Sequence, residues 1–283
     1  MSEDAKKILS YLLSTLQSKD SRHHVRYGNY LRRNPEQIEN VIFNCLRPGT
    51  LNFLKTGNLS SIDSIKSIGG DTNYQGRGVY LHAIVGLDTH IRIYIGQASN
   101  ISFRLKKQHL NFRYRRDNKS LHYYALERSS YDSFCILAKL PSNSTKPGMD
   151  RPDLLLNILE MWCCLLFRSL PPPSLRQFLP PTYKVLPVAP PGSLNIAVPL
   201  DQGTSLYAQS MKIDLRHSKD PLILEYFSDA KEQKPAKIVL AETVPTEFVA
   251  ASETSDRKLG PYFVAGLTVV AAVMIFSSWW KRS

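Results

Sequence analysis

Residues 78–84 read GVYLHAI and, after a turn, residues 91–97 read IRIYIGQ. In both stretches apolar residues occupy every second position, which is typical of β-strands with one buried face. The other face of the pair carries Tyr80, His82, Arg92 and Tyr94. A hairpin turn of about five residues, around residues 85–89, would set Tyr80 directly opposite Tyr94. The two stretches therefore predict a hairpin with one apolar and one polar face.

The facing tyrosines have two interpretations. Gly78 and Gly96 would lie at the same level of the hairpin, where the absence of side chains lets a ligand approach the backbone. Tyr80 and Tyr94 could then form a reactive surface. An aromatic cross-strand pair, however, also stabilises a sheet by up to about 1 kcal/mol without any ligand. The strands alone do not separate the two.

A helix should follow the second strand, with Asn100 as its N-cap and with Ile101 and Leu105 directed inward. Residues 133–140 predict a third strand, and residues 152–167 predict an apolar helix. On that helix Asp153, Asn157, Glu160 and Cys164 recur at helical spacing and form a narrow polar stripe. Glu160 needs water, a basic partner or a metal ion, because burying a lone carboxylate is costly. The simplest alternative is that the stripe faces solvent.

Positive charge is concentrated after the second strand, where residues 92–128 contain nine Lys or Arg residues against two acidic ones. The whole chain carries a net charge of +12, which favours an anionic partner, either nucleic acid or an acidic membrane surface. The residues predicted to contact nucleic acid are Arg92, Lys106, Lys107, Arg113, Arg115 and Arg116. A second basic stretch, residues 22–33, is interleaved with tyrosines and is either a nucleic-acid contact or a solvated connector. A run of charge alone is also compatible with a solvated face.

Four segments are predicted along the chain. Residues 1–70 form an N-terminal helical region, and residues 71–200 form the domain that contains the hairpin. Nine of the 18 prolines lie between Pro171 and Pro199, and residues 201–258 lack a sustained hydrophobic period, so we expect a loosely ordered linker there. Residues 259–280 form the fourth segment.

Residues 259–280 contain no formal charge over 22 positions and lie between basic pairs. About 20 apolar residues cross a bilayer as a helix, so the segment predicts a single C-terminal membrane anchor. The alternative is a buried terminal helix. The N-terminus lacks the pattern of a signal peptide and the four cysteines lack disulfide or metal spacing, so we expect the main domain to face the cytosol or nucleoplasm. The sequence does not indicate which organelle.

Gly78-Val79-Tyr80, Tyr94-Ile95-Gly96, Arg104 and Glu160 together resemble the GIY-YIG nuclease family. The resemblance covers about residues 77–195, and residues 94–105 are its most specific part. It implies an α+β fold with a small three-stranded antiparallel sheet flanked by helices. It also implies cleavage of phosphodiester bonds with one divalent ion, Mg²⁺ or Mn²⁺.

The same resemblance implies roles for individual residues. Tyr80 would activate water, Tyr94 would assist it or position the phosphate, and Arg104 would stabilise transition-state charge. Glu160 would hold the metal ion, and Asn195 matches the family's late asparagine. Phosphoryl transfer depends mainly on positioning and charge neutralisation, which this set of residues could supply. We expect Tyr80, Tyr94, Arg104 and Glu160 to converge on one open face.

Three features depart from the family pattern, and the first is Val79, a valine where the first half-motif has isoleucine. Residues 81–93 make the gap between the two half-motifs longer than usual. The family often carries a histidine four residues after the arginine, but here that position is Gln108 and His109 comes one step later. On a regular α-helix, His109 would then point to a different part of the helix. His122 could serve instead.

The sequence therefore predicts a membrane-tethered, metal-dependent endonuclease acting on nucleic acid, with DNA as the first expectation. The alternative is a catalytically inactive domain that binds nucleic acid or protein on an organelle membrane. The presence of all four motif residues favours activity. An anchor at residues 259–280 is unusual for a DNA-cutting enzyme and favours a domain that has been adapted to another role. No protein partner follows from the sequence.

Overall fold

The computed structural model describes residues 2–113, 120–183, 192–204 and 218–232. The helices are α1 (Ser2–Gln17), α2 (Asn29–Arg32), α3 (Pro35–Cys45), α4 (Pro48–Thr56), α5 (Ile62–Lys66), α6 (Ile101–Phe103), α7 (His109–Arg113), α8 (Leu121–Glu127), α9 (Pro152–Leu166), α10 (Pro172–Phe178) and α11 (Pro221–Glu232). Two π-helical turns, His24–Gly28 and Arg104–Gln108, and a 3₁₀ turn, Pro199–Asp201, complete the helical elements. The strands are β1 (Gly78–Gly86), β2 (Ile91–Ala98) and β3 (Ser129–Lys139).

The three strands form one antiparallel sheet in the order β2-β1-β3, with helices on both faces. The predicted α+β fold with a small antiparallel sheet is therefore confirmed. Asn100 caps the helix after β2, as predicted, and its side-chain oxygen accepts a hydrogen bond from the N–H of Phe103. β3 begins earlier than predicted, at Ser129.

The register of the hairpin differs from the prediction by two residues. Tyr94 pairs with His82, and Tyr80 pairs with Gly96, so the tyrosines are not directly opposite each other. The last pair is Val85 and Ile91, so the turn lies around residues 86–90, one residue later than predicted. Because side chains alternate with a period of two, a shift of two residues leaves every side chain on its predicted face.

Two layers cover the sheet. The apolar face, which includes Val79, Leu81 and Ile95, belongs to the main core together with α9 and the N-terminal helices. The opposite face, which includes Tyr80 and Ile84, packs against α6 to α8 and against α11. The sheet therefore separates a large apolar core from a smaller layer that contains the tyrosine motif.

The N-terminal helices share the main core with the sheet. The indole Nε1 of Trp162 in α9 donates to the carbonyl oxygen of Ala5 in α1 over 3.0 Å, and both residues are buried. The basic stretch 22–33 also folds back onto the core, where Tyr27 is fully buried. It is thus a packed part of the structure rather than the solvated connector considered above.

Part of the predicted linker, residues 201–258, is also packed. The helix α11 buries Leu222 and Ile223 against the polar-face layer, and Asp220 just before it forms a buried ion pair with Arg92. Within the four described ranges, no helix has the length and apolar character needed to cross a bilayer. The predicted anchor, residues 259–280, lies outside the described residues.

Candidate active site

The hydroxyl of Tyr80 is held between two side chains. Its oxygen lies 2.8 Å from Nε2 of His109, and Nε of Arg104 donates to it over 3.3 Å. The ring is fully buried. On the neighbouring strand, a Cβ added to Gly96 would lie 2.5 Å from the Tyr80 oxygen. The glycine of the second half-motif therefore makes the space in which the hydroxyl is held.

The π-helical turn Arg104–Gln108 brings His109 to this hydroxyl. The main-chain N–H of His109 donates to the carbonyl oxygen of Arg104 across five residues, one more than in an α-helix. The extra residue is accommodated in the turn, so His109 lies one helical turn after Arg104. Our expectation that His109 points elsewhere is therefore wrong. Gln108, at the family's usual histidine position, instead accepts a hydrogen bond from Arg104.

The imidazole of His109 is neutral near pH 7. Burial lowers its pKa to about 2, and the charges of Arg104 and His82 add to this effect. The other ring nitrogen, Nδ1, lies 3.1 Å from the hydroxyl of Tyr123. In the tautomer with hydrogen on Nδ1, His109 donates to Tyr123, and Nε2 accepts the proton of Tyr80. The geometry thus fits a base directed at the Tyr80 hydroxyl.

Tyr94 and His122 complete the aromatic part of this layer. Their rings stack nearly parallel, with centroids 4.0 Å apart and an interplanar angle of 13°. The centroids of Tyr80 and Tyr94 are 6.4 Å apart. Tyr94 is half-buried, whereas His122 is buried. The structure therefore brings Tyr80, Tyr94, Arg104 and both candidate histidines together.

Three further polar residues of this layer were not predicted. His82, on the same face of β1 as Tyr80, lies 2.8 Å from His122 and 3.0 Å from a carboxylate oxygen of Asp132. Strand alternation already placed His82 beside Tyr80. Asp132 lay just outside the predicted third strand, and Tyr123 carried no spacing signal that would have linked it to His109.

Glu160 lies in the other layer. Its side chain is buried and accepts a hydrogen bond from Nε2 of Gln202 over 2.8 Å. Gln202 in turn accepts from Gln97, which pairs with Val79 on the apolar face of the sheet. Glu160 is therefore on the opposite face of the sheet from Tyr80, and the expected convergence of four side chains includes only three. The alternative of a solvent-facing stripe is wrong for Asn157, Glu160 and Cys164, which are buried, whereas Asp153 at the start of the helix is exposed.

The polar stripe of α9 is instead satisfied by amides and a phenol. Gln97 donates to Oδ1 of Asn157 over 2.6 Å, and Asn157 donates to the hydroxyl of Tyr27 over 3.2 Å. The 3₁₀ segment is tied to the same place, because Tyr27 donates to the carbonyl oxygen of Leu200. A buried polar network thus connects α9, β2 and the N-terminal segment.

The residues around Glu160 include oxygen donors of the type that a hard cation accepts, but they are not arranged as a metal site. Carboxylate and amide oxygens are ligands that Mg²⁺ accepts, and Oε1 of Gln97 is buried without a hydrogen-bond partner. Among the described residues, however, no group of three or more His, Cys, Asp or Glu side chains is arranged to hold a metal ion. An ion at Glu160 would also be on the other side of the sheet from the Tyr80 hydroxyl.

The residues predicted to contact phosphate lie in different environments. Arg92 is fully buried between Asp88 and Asp220 and is therefore a structural ion-pair residue, which corrects its assignment to a nucleic-acid surface. Lys106 and Lys107 are exposed on the π-helical turn. The side chain of Arg113, and Arg115 and Arg116 entirely, lie outside what the structure describes.

Asn195 holds the edge of the hairpin. Its side-chain oxygen accepts from the main-chain N–H of Ile95 over 2.9 Å, and its amide nitrogen donates to the carbonyl oxygen of the same residue over 2.7 Å. Ile95 is the central residue of the second half-motif. Asn195 therefore fixes the strand between Tyr94 and Gly96.

The chain matches no protein-family model, and neither a curated protein nor a solved structure is significantly similar to it. The resemblance to the GIY-YIG family consequently depends on the motif residues and their spacing.

Proposed function

We propose that this chain hydrolyses phosphodiester bonds in nucleic acid, with Tyr80 as the residue that activates water. The observation that carries the proposal is the pair of contacts to the Tyr80 hydroxyl, from a neutral His109 and from Arg104. An unperturbed tyrosine, with a pKa near 10, is only about 0.1% ionised at pH 7, so it needs a base to act as one. His109 is placed to be that base once the layer has opened, because water and the negative charge of the bound phosphate would then raise its lowered pKa.

The proposed step balances as a proton relay. Tyr80 passes its proton to Nε2 of His109 as its oxygen takes a proton from the attacking water, and the water oxygen forms the new bond to phosphorus. The bond from phosphorus to the leaving oxygen breaks. Arg104 stabilises the negative charge that develops on the phosphoryl oxygens. Because Tyr80 is buried, the surrounding layer has to open when the phosphodiester binds.

A divalent ion, Mg²⁺ or Mn²⁺, also belongs to the proposal. Glu160 would hold it with an amide oxygen of Gln97, on the opposite face of the sheet from Tyr80, where its charge would compensate the buried carboxylate rather than the phosphate attacked at Tyr80. The step at Tyr80 is independent of this ion. The proposed setting is a membrane surface facing the cytosol or nucleoplasm, with residues 259–280 as the anchor and DNA as the first substrate to test.

A second function is favoured by a different observation. Tyr80 is fully buried and Glu160 lies on the far face, whereas Lys106 and Lys107 are exposed on the same helical stretch as Arg104. A domain with these properties could bind nucleic acid without cutting it. In that case the affinity should fall steeply with salt, by a slope of about 0.9 for each phosphate contact on B-form DNA.

The experiment that tests the first function uses the full-length chain and labelled single- and double-stranded DNA, with Mg²⁺, with Mn²⁺ or with EDTA. We expect cleavage, and we expect Tyr80→Phe and His109→Gln each to lower kcat by about 100-fold or more. Matched controls are Tyr131→Phe and His90→Gln, which change exposed residues of the same types. Absence of cleavage, or full activity in Tyr80→Phe, would overturn the proposal.

The binding function is separated in the same assay by measuring affinity as well as cleavage. Binding without cleavage that Lys106→Ala/Lys107→Ala weakens and Tyr80→Phe leaves unchanged would support the second function. Cleavage that persists in EDTA would remove the metal ion from the first. Cleavage that requires Mg²⁺ and is lost in Glu160→Gln would support its assignment to Glu160.

A further inference from the structure

A second chain of polar side chains runs through the tyrosine layer and ends at a partly exposed carboxylate. Asp132, with 21% of its side chain exposed, lies 3.0 Å from Nε2 of His82. Nδ1 of His82 lies 2.8 Å from Nε2 of His122. The three side chains form a continuous series, from the sheet edge to the ring that stacks on Tyr94.

The ring of His82 is fixed in this chain by its strand position. It is fully buried on the central strand, and its cross-strand neighbours are Tyr94 on β2 and Phe134 on β3. The Phe134 ring stacks on it at 3.9 Å with an interplanar angle of 20°. The imidazole therefore presents one nitrogen to Asp132 and the other to His122.

The donor and acceptor roles follow from the carboxylate. A carboxylate only accepts hydrogen bonds, so Nε2 of His82 carries the hydrogen. His122 carries its hydrogen on Nε2, because a hydrogen on its buried, unpartnered Nδ1 would have no acceptor, and Nδ1 of His82 accepts from that Nε2–H. Burial, with smaller contributions from the charges of its neighbours, keeps the pKa of His122 well below its usual value, so that ring is neutral. Its remaining nitrogen, Nδ1, is buried and unpartnered, as an acceptor lone pair.

The ring of His122 in turn separates the two halves of the candidate site. Tyr94 stacks on it with a centroid distance of 4.0 Å. His109 meets it edge-on at 5.3 Å with an interplanar angle of 90°. A rotation of His122 would therefore disturb Tyr94 on one side and the base of Tyr80 on the other.

We propose that Asp132 and His82 are positioning residues, which fix the tautomer and ring orientation of His122 and thereby hold Tyr94 and His109 in place. The catalytic part of this inference rests on the proposed function. The proposed tautomer of His122 does not rest on that function, because it is a property of the folded protein alone. Residues that orient a functional histidine through its second nitrogen typically change activity by 10- to 100-fold when they are removed.

The variant Asp132→Asn changes the hydrogen-bonding groups that face His82 with little change in the shape of the side chain. An asparagine of nearly the same size can donate its amide hydrogen to Nε2 of His82, which would move the His82 hydrogen to Nδ1. His122 would then accept at Nε2 and carry its own hydrogen on Nδ1. The hydrogen bond at one ring nitrogen decides which nitrogen of a histidine carries the hydrogen, so a changed partner at His82 can invert the tautomers of both rings. Asp150→Asn is the matched control, since Asp150 is 53% exposed and pairs with Arg33.

The experiment records two-bond proton–nitrogen correlation spectra of the imidazole rings in the isotopically labelled full-length chain. We expect His122 to carry its hydrogen on Nε2 in the unsubstituted protein and in Asp150→Asn, and on Nδ1 in Asp132→Asn. The same spectra report the His82 ring, and a His122 tautomer that stays unchanged while His82 inverts, or a hydrogen on Nδ1 of His122 in the unsubstituted protein, would overturn the inference.

Kinetics tests the second part. If the unsubstituted chain cleaves DNA, we expect Asp132→Asn to lower kcat by 10- to 100-fold with KM unchanged, and Asp132→Glu to recover part of the loss. An unchanged kcat beside an inverted tautomer would overturn the positioning role. If the unsubstituted chain cleaves nothing, the proposed function fails, and the spectra still decide whether Asp132 and His82 orient His122.

Discussion

His109 follows Arg104 by five residues, and its main-chain N–H bonds to the Arg104 carbonyl oxygen. This π-helical contact, rather than the α-helical spacing of four, is what places both side chains on the hydroxyl of Tyr80. π-helical turns inside helices are often found at functional sites. The position of one extra residue therefore determines whether an imidazole reaches the Tyr80 hydroxyl.

Deleting Lys107 should leave the site intact. The histidine would then follow Arg104 by four residues, as a regular α-helix requires for the same face. Inserting an alanine between Lys106 and Lys107 should instead rotate the histidine away from Tyr80 and lower kcat by about 100-fold. The two variants are compared in the DNA cleavage assay, each as the other's control. Equal activity in both would contradict the role of the π-helical turn.

The buried His109 should make stability depend on pH. Its pKa falls from 6.5 to about 2 on folding, so the unfolded chain binds more protons between those values and stability decreases as the pH falls below about 6.5. The maximum slope is about 1.4 kcal/mol per pH unit. We expect His109→Gln to flatten the dependence by up to this amount in urea unfolding between pH 7 and pH 4. His90→Gln, at an exposed histidine, should keep the original slope.

Asp220 should contribute strongly to stability. It forms a buried ion pair with Arg92 at 2.6 Å, and its carboxylate also accepts from the N–H of Leu222 at the start of α11. Asp220→Ala removes two charge-assisted hydrogen bonds from the buried Arg92, which keeps only Asp88 as an acidic partner, and we expect it to lower the free energy of unfolding by about 3 kcal/mol. Asp150→Ala, which breaks an exposed pair, should cost less than about 1 kcal/mol. Similar losses would show that burial of Arg92 does not govern the effect.

Asn195 should protect the second half-motif from local opening. Asn195→Ala leaves the N–H and C=O of Ile95 without their side-chain partner, at a cost of about 1–3 kcal/mol for each buried group left unsatisfied. We expect faster amide hydrogen exchange at Ile95 in this variant, measured by mass spectrometry or NMR. Asn143→Ala, in an exposed loop, should leave that rate unchanged.

The sheet and its polar face could be predicted because strand alternation depends on local sequence. The same alternation placed Tyr80, His82 and Tyr94 on one side even though the register was off by two residues. The position of the turn decides the register, and the turn lies one residue later in the chain than predicted, which moves the pairing by two residues. A register shift of two residues keeps each side chain on its face of the sheet, but it changes which residues pair across the strands.

Other features depend on tertiary contacts that no local pattern shows. The basic composition around Arg92 indicated a surface, but two aspartates far apart in the sequence, Asp88 and Asp220, compensate its charge inside. Glu160 likewise looked accessible along its helix, and the partner that buries it, Gln202, lies beyond a proline-rich stretch. The position of His109 was predicted wrongly because the prediction assumed a regular α-helix, whereas the structure has a π-helical turn there.

The bond between Trp162 and Ala5 joins residues 157 positions apart, and this separation has a consequence for synthesis on the ribosome. At about 5–20 residues per second, α9 emerges roughly 8–30 seconds after α1. During that interval α1 can pack against α2 and α3, which follow it closely, but it lacks its contacts with α9. The nascent chain should consequently need a chaperone or transient contacts early, and full-length protein released from the ribosome should reach its native state only after the late closure between the two ends of the core.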